Sequence, residues 1–261
     1  IGGTLPKPIK RKQMHPKDIS FEMQKVIIPG LATRRKPISL KVYLGEIVGI
    51  AGVSGNGQGP LVEAIVGLRN ILSGNMLLSN ENISDQDVSA RRKIGLSYIP
   101  EDRQSVGLAL DASVLENSCV SQIRNKQFSN GYFFNLQHLF KFSEQLLSEY
   151  DIRVGSVKSK VRTMSGGNKQ KLVVARELEQ KKQLVIAENP TWGVDIGAIN
   201  KIHQELIKMR DMGHAILLVS NEIEEIMGLS DRIHVMANGQ LSESLNSDQV
   251  TANKLGELML S

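Results

Sequence analysis

Past residue 20, short apolar runs alternate with segments in which apolar residues recur every three or four positions. The runs at 95–99, 184–187, 215–219 and 233–237, each bounded by polar or turn residues, predict buried strands. Residues 46–51 predict one more. Helical spacing of apolar positions over 60–68, 198–212 and 222–229 predicts amphipathic helices between them. Such alternation marks an α/β domain on a mainly parallel sheet. The pattern changes between about 111 and 164, where Phe128, Phe133, Phe134, Phe140 and Phe142 gather with Leu136, Leu139, Leu146 and Leu147. This stretch reads as a helical insertion whose aromatic residues form its own small core.

With 261 residues, 41% of them apolar, the chain can bury the core of one large globular domain carrying a subdomain. No apolar run approaches the roughly 20 residues that cross a bilayer, so work at a membrane would need a separate spanning partner. The single cysteine, Cys119, rules out an internal disulfide and is expected to be a small buried apolar residue. Five histidines show no ligand spacing, and no metal site is assigned. The formal charge of +5 owes much to Lys7, Lys10, Arg11, Lys12 and Lys17 in residues 1–17, a Pro- and Gly-containing stretch that reads as a linker or arm. A solvated tail explains it, and no nucleic-acid partner is expected. The chain opens on Ile1 instead of methionine, as a part of a longer chain would.

Between the predicted strand 46–51 and helix 60–68 lies Gly52-Val53-Ser54-Gly55-Asn56-Gly57-Gln58-Gly59. A tight turn alone would account for a cluster of glycines. Strand, glycine loop and helix is, however, the setting of the phosphate-binding loop G-x-x-x-x-G-K-[ST], in which backbone N–H groups surround a phosphate. Gly52, Ser54, Gly55, Asn56 and Gly57 supply that loop, but Gln58 replaces its lysine and Gly59 its magnesium-binding hydroxyl. An amide donates a hydrogen bond without neutralising charge, so phosphate affinity is expected to drop roughly ten- to a hundred-fold. A second segment, Ser165-Gly166-Gly167-Asn168, opens the periodic stretch from Leu172 to Leu178. Ser165 suits an N-cap, and two successive glycines at a helix start also admit close approach of an anion.

Together these motifs resemble the ATP-binding domains of ABC transporters over about residues 18–250. Met164 to Asn168 is similar to the family's signature L-S-G-G-Q, and Leu184 to Thr191 to its Walker B strand with the D-E-P-T ending. Trp192-Gly193-Val194-Asp195 falls at the D-loop, Glu101 at the Q-loop glutamine, and Asn221 at the switch histidine. The resemblance implies a P-loop ATPase core with an antiparallel N-terminal β part and a helical subdomain. The expected division is 18–110 for the first part of the core, 111–164 for the helical subdomain, and 165–261 for the remainder with a C-terminal helix. The strings P-E-D-R, P-T-W-G-V-D-I-G-A and L-V-S-N-E-I-E-E-I further resemble the second half of tandem ATPase subunits that serve sugar or nucleoside importers.

The departures fall where hydrolysis occurs. Besides Gln58 and Gly59, Glu188 stands for the metal-side aspartate, Asn189 for the general-base glutamate and Asn221 for the histidine. Asn189 cannot accept a proton from water at neutral pH. The resemblance therefore implies a domain whose own site binds ATP weakly or not at all and lacks hydrolysis. Its Ser165, Gly166, Gly167 and Asn168 would complete a site on a partner ATP-binding half, where Mg2+ is held. Implied partners are that half, in the same chain or another, and transmembrane permease subunits; the implied location is peripheral, at the cytoplasmic face of the cell membrane. A regulatory or scaffold module that binds no nucleotide is the alternative. DNA-repair relatives would carry a long coiled coil, and no sustained heptads occur here.

Overall fold

The computed structural model describes residues 18–31, 36–122, 128, 133–179 and 182–260. The basic stretch 1–17 and most of 123–132 lie outside these. From the N-terminus the elements are β1 (Ile19–Ile27), β2 (Ile38–Tyr43), β3 (Ile47–Ala51), α1 (Gln58–Val66), β4 (Ser73–Leu78), β5 (Glu81–Asn82), α2 (Val88–Ile94) and β6 (Leu96–Ile99). Then follow α3 (Val114–Cys119), α4 (Leu136–Glu149), α5 (Gly166–Leu178), β7 (Leu184–Glu188), α6 (Ile196–Asp211) and β8 (Ala215–Ser220). The chain closes with α7 (Ile223–Leu229), β9 (Arg232–Ala237), β10 (Gln240–Leu241), β11 (Leu245–Asn246) and α8 (Ala252–Met259). The described residues form two compact units, one drawn from those within 18–98, 182–189 and 205–260, the other from those within 99–179 and 190–204.

The larger unit carries two sheets. One is four-stranded and antiparallel in the order β2-β1-β4-β5. Its strand β2 alternates buried Ile38, Leu40 and Val42 with exposed Ser39 and Lys41, the period of a strand with one wet face. The other has the order β10-β9-β3-β8-β7-β6, with β11 on β9 and with β3, β7, β8 and β9 mutually parallel. Strands β3, β7 and β8 are buried at every position, as parallel strands covered on both faces must be. One core joins the sheets through Phe21, Met23, Ile50, Leu61, Leu217 and Met236. Arg91 is buried beside it and donates to Ala64 O at 2.6 Å and Ile65 O at 2.7 Å, pairing carbonyls at the end of α1 that no helical N–H reaches. The predicted strands and the helices 60–68, 198–212 and 222–229 appear with their ends shifted by a residue or two.

In the smaller unit, α3, α4 and α5 surround a core that includes Cys119, Phe128 and Leu139. Phe142 meets Phe128 edge-on with ring centroids 5.3 Å apart. Along α4 the buried positions are Leu139, Ser143 and Leu146, one stripe at helical spacing. The expectation that the aromatic cluster forms a single core is corrected here. Phe133 is 77% exposed and Phe134 56%, because both precede α4 and escape its inward stripe, and Leu136 in the first turn is exposed as well. Phe140 lies beside Lys158, 5.6 Å from the ring centroid to the ammonium. No helix among the described residues is long and apolar enough to cross a membrane.

Candidate functional site

The phosphate-type loop belongs to the larger unit. Strand β3 ends at Ala51 and α1 begins at Gln58, so the glycine segment turns directly from a buried strand into a helix N-terminus. Gly57 is the N-cap with φ of 113°, a conformation that favours glycine. Asn56 anchors the loop outward: its O accepts from Gly239 N at 2.8 Å and its Nδ2 donates to Met259 O at 3.3 Å. Ser54 and Gly55 are exposed. Gln58 is not. Its side chain turns back into the loop, 7% exposed, and Nε2 donates to Val53 O at 3.0 Å. A Cβ on Gly52 would sit 2.2 Å from that nitrogen, so glycine at 52 makes room for the amide. Gly59 by contrast faces open space, with nothing within 4 Å of where its Cβ would lie.

At the positions where the resemblance implies a general base and a switch histidine, the residues bond to one another. Asn189 takes a positive φ of 39° just after β7, and its Oδ1 accepts from Asn221 N at 2.9 Å. Its own N–H donates to Val219 O at 2.8 Å. The Asn221 side chain continues the chain of bonds, with Nδ2 donating to Ser54 Oγ at 2.8 Å. The positions expected to hold a general base and a switch histidine are thus linked to each other and, through the Asn221 side chain, to the loop residue Ser54. Glu188, 8% exposed, accepts from Tyr98 Oη at 2.6 Å.

A magnesium-bound nucleotide needs a lysine at the helix start, a hydroxyl beside it and a carboxylate for the ion. This loop offers an amide already bonded to Val53 O, a glycine, and a carboxylate already accepting from Tyr98. These residues do not fit a magnesium ion. Among the described residues there is also no cluster of His, Cys, Asp or Glu that could hold a metal.

The signature segment belongs to the smaller unit. Ser165 is the N-cap of α5, its Oγ accepting from Asn168 N at 3.4 Å and from Asn168 Nδ2 at 3.0 Å. Asn168 Oδ1 accepts from Arg153 N at 2.9 Å, so the asparagine side chain is bonded within its own unit. Ser165 is exposed, and the first-turn N–H groups of Gly166 and Gly167 have no helical acceptor. Asp195 opens α6, its Oδ1 accepting from Ala198 N at 2.9 Å. The double glycine has a reason besides anion approach, because a Cβ on Gly167 would come 2.7 Å from Asp195 Oδ2. Glu101 is partly buried after β6, and beside it Asp102 accepts from Gln104 N and Ser105 N at the start of a wide helical turn, Arg103–Gly107. Those bonds, from Ser105 foremost, hold the Asp102 carboxyl below the usual carboxylate range.

Three residues have partners that the sequence alone does not reveal: Tyr98 at Glu188, Arg103 at the Trp192 and Gly193 carbonyls, and Gln170 at the Pro190 carbonyl. Tyr98 falls in a predicted strand and Arg103 in the string P-E-D-R, but only the fold brings their partners to them.

The ABC transporter family profile matches residues 35–192. The chain belongs to the ABC transporter family. It is 42% identical over 230 residues to the guanosine import ATP-binding protein NupO of Bacillus subtilis, covering 88% of this chain and 45% of that protein. It is 35% identical over 262 residues to the nucleoside import ATP-binding protein NupA of Lactococcus lactis, covering 100% of this chain and 52% of the relative. The chain thus spans about half the length of these relatives. Among solved structures it is similar to a dimeric ATP-binding cassette in a post-hydrolysis state bound to ADP and Pi, with TM-score 0.73, 21% identity, and coverage of 87% of this chain and 98% of that one. Another ATP-binding cassette of an ABC transporter gives TM-score 0.76 at 18% identity, covering 93% and 99%. The fold is that of an ABC ATPase.

Proposed function

We propose that this chain is an ATP-binding domain of an importer for nucleosides or simple sugars, with a hydrolysis-deficient site of its own and a working signature. In this reading Ser165, Gly166 and Gly167 face the nucleotide of a partner ATP-binding domain, which holds the magnesium ion. The loop Gly52–Gly59 serves as a weak nucleotide contact or as a closed structural latch. Supporting the importer assignment are the import proteins that the chain resembles along 88% or more of its length. Exposed Phe133, Phe134 and Leu136 offer an apolar surface suited to permease subunits, which would place the domain peripherally at the cytoplasmic membrane face.

The observation that carries the deficient-site reading is the hydrogen bonding of Gln58, Asn189 and Asn221. Phosphoryl transfer depends on cations that neutralise developing charge and on a group that orients the attacking water. Gln58 brings no charge and directs its donor to Val53 O, while Asn189 accepts from the Asn221 backbone. A phosphate-release assay on the isolated chain tests this, with no magnesium-dependent turnover expected. Turnover comparable with active cassettes would falsify the reading. A regulatory module that binds no nucleotide would leave the partner site indifferent to changes at Ser165.

A further inference from the structure

The turn that follows Pro190 is held by side chains of its own compact unit. Gln170, buried in α5, donates Nε2 to Pro190 O at 2.7 Å. Arg103 donates Nη1 to Trp192 O at 2.6 Å and Nη2 to Gly193 O at 3.1 Å. Three carbonyls within four residues are therefore fixed by two side chains. Gly193 takes φ of 64°, so the turn has a shape that most residues resist. The same guanidinium passes 3.3 Å from where a Cβ on Gly166 would lie, and Asp195 lies against Gly167. Arg103 thus bonds to the turn while its Nη2 occupies the space that a side chain on Gly166 would enter.

Only arginine suits this position. Its planar fork presents two terminal nitrogens in fixed relation, matching two successive carbonyls, whereas a lysine ammonium is a single point donor. Arg103 Nε is buried without a partner, so the terminal nitrogens make the bonds that hold the residue in place.

We infer that Arg103 is a positioning residue for the composite ATPase site: through the Trp192 and Gly193 carbonyls it fixes the turn carrying Asp195 against the signature glycines. The consequence is a signature whose N–H groups are preset before a nucleotide arrives. This inference rests on the proposed role of Ser165 to Gly167 at a partner site. Donors preset toward a developing charge need no rearrangement during reaction. Loss of the clamp should therefore lower kcat and leave KM for ATP nearly unchanged.

The test uses the full ATPase assembled with its partner domain, grown with 5-fluorotryptophan. The fluorine resonance of Trp192, this chain's only tryptophan, is assigned by its loss in Trp192→Phe. Without nucleotide, Arg103→Gln should shift and broaden that resonance, and Arg103→Lys should do so less. In turnover, Arg103→Gln should lower kcat by about ten- to a hundred-fold, the range that misplacement of about 1 Å produces, with Arg103→Lys intermediate. An unchanged resonance overturns the clamp, and a loosened turn with full kcat overturns the positioning role. Should Arg103→Gln fail to fold, Arg103→Lys carries both readouts. Wild-type turnover that ignores Ser165→Arg would sink the composite-site reading and the catalytic part of this inference, while the fluorine signal would still decide the clamp.

Discussion

The turn between β3 and α1 and the start of α5 both lead into a helix through glycines, yet the first bonds to residues far along the chain and the second leaves its cap serine exposed. In the first, Gln58 bonds to Val53 O, and Asn189, Asn221 and Ser54 bond in sequence, so each amide has found an internal partner. In the second, Ser165 stays exposed and the N–H groups of Gly166 and Gly167 wait without helical acceptors. Where the family resemblance places a lysine, a glutamate and a histidine, this chain has Gln58, Asn189 and Asn221, and their amide groups bond within the loop and its surroundings. A buried polar group without a partner costs about 1–3 kcal/mol, so a site that gives up its charged groups is under pressure to satisfy the remainder internally.

The largest effect that distinguishes the loop from the signature should come from the signature. Ser165→Arg or Gly166→Asp in the complete transporter is expected to lower ATP hydrolysis by about a hundred-fold or more, the loss typical of one transition-state donor. Asn189→Ala should change it little. A crippling Asn189→Ala beside silent signature changes, measured as steady-state phosphate release, would invert the contrast.

A second experiment attempts to reopen the loop. Gly59 has space for a side chain, so Gln58→Lys with Gly59→Ser should raise nucleotide affinity of this site roughly ten- to a hundred-fold. Turnover should stay absent, since Asn189 still provides no base. Titration with a fluorescent ATP analogue measures the gain, and none at all would mean that the loop is not shaped for phosphate.

The smallest effect is acid sensitivity of the loop's support. His234 in β9 is held below its ordinary 6.5 chiefly by burial, with Arg232 adding to the depression and the Ser242 carbonyl and Glu46 opposing it. The unfolded chain therefore binds the proton more readily than the folded one. Stability from this group is full above about pH 6.5 and declines as pH falls below it. Hydrogen exchange at the Gly239 amide, which donates to Asn56 O and so joins the β9–β10 turn to the loop, should quicken on acidification, and His234→Gln should flatten that response. An equal response in the variant would remove His234 as its cause.

How far the sequence reveals this molecule differs by element. Strands β3, β7 and β8 are legible because burial on both faces leaves short continuous apolar runs. The antiparallel sheet is not. Its register shifts near Gln24 and Ile27 disturb simple alternation, and family resemblance alone points to it. The aromatic cluster misleads because composition records Phe133 and Phe134 without recording which way they face. At the site, the substitutions at Gln58, Gly59 and Asn189 are plain in the string of residues. Their bonds are not, since Asn189 meets Asn221 across 32 residues of chain. Gly167 shows a subtler limit. Its glycine fits an approaching anion, and the Asp195 carboxylate already occupies the place of a side chain.

Cys119 lies in the core of the smaller unit with Sγ against Leu139 O, and burial pushes its thiol pKa up. Only the thiolate reacts readily with maleimides and disulfides. The chain's one native sulfhydryl is therefore chemically quiet, and a cysteine installed at exposed Ser54 or Ser165 would take up a spin label or dye almost alone. Within these 261 residues the native background is already suited to placing a single reporter at the loop or at the signature.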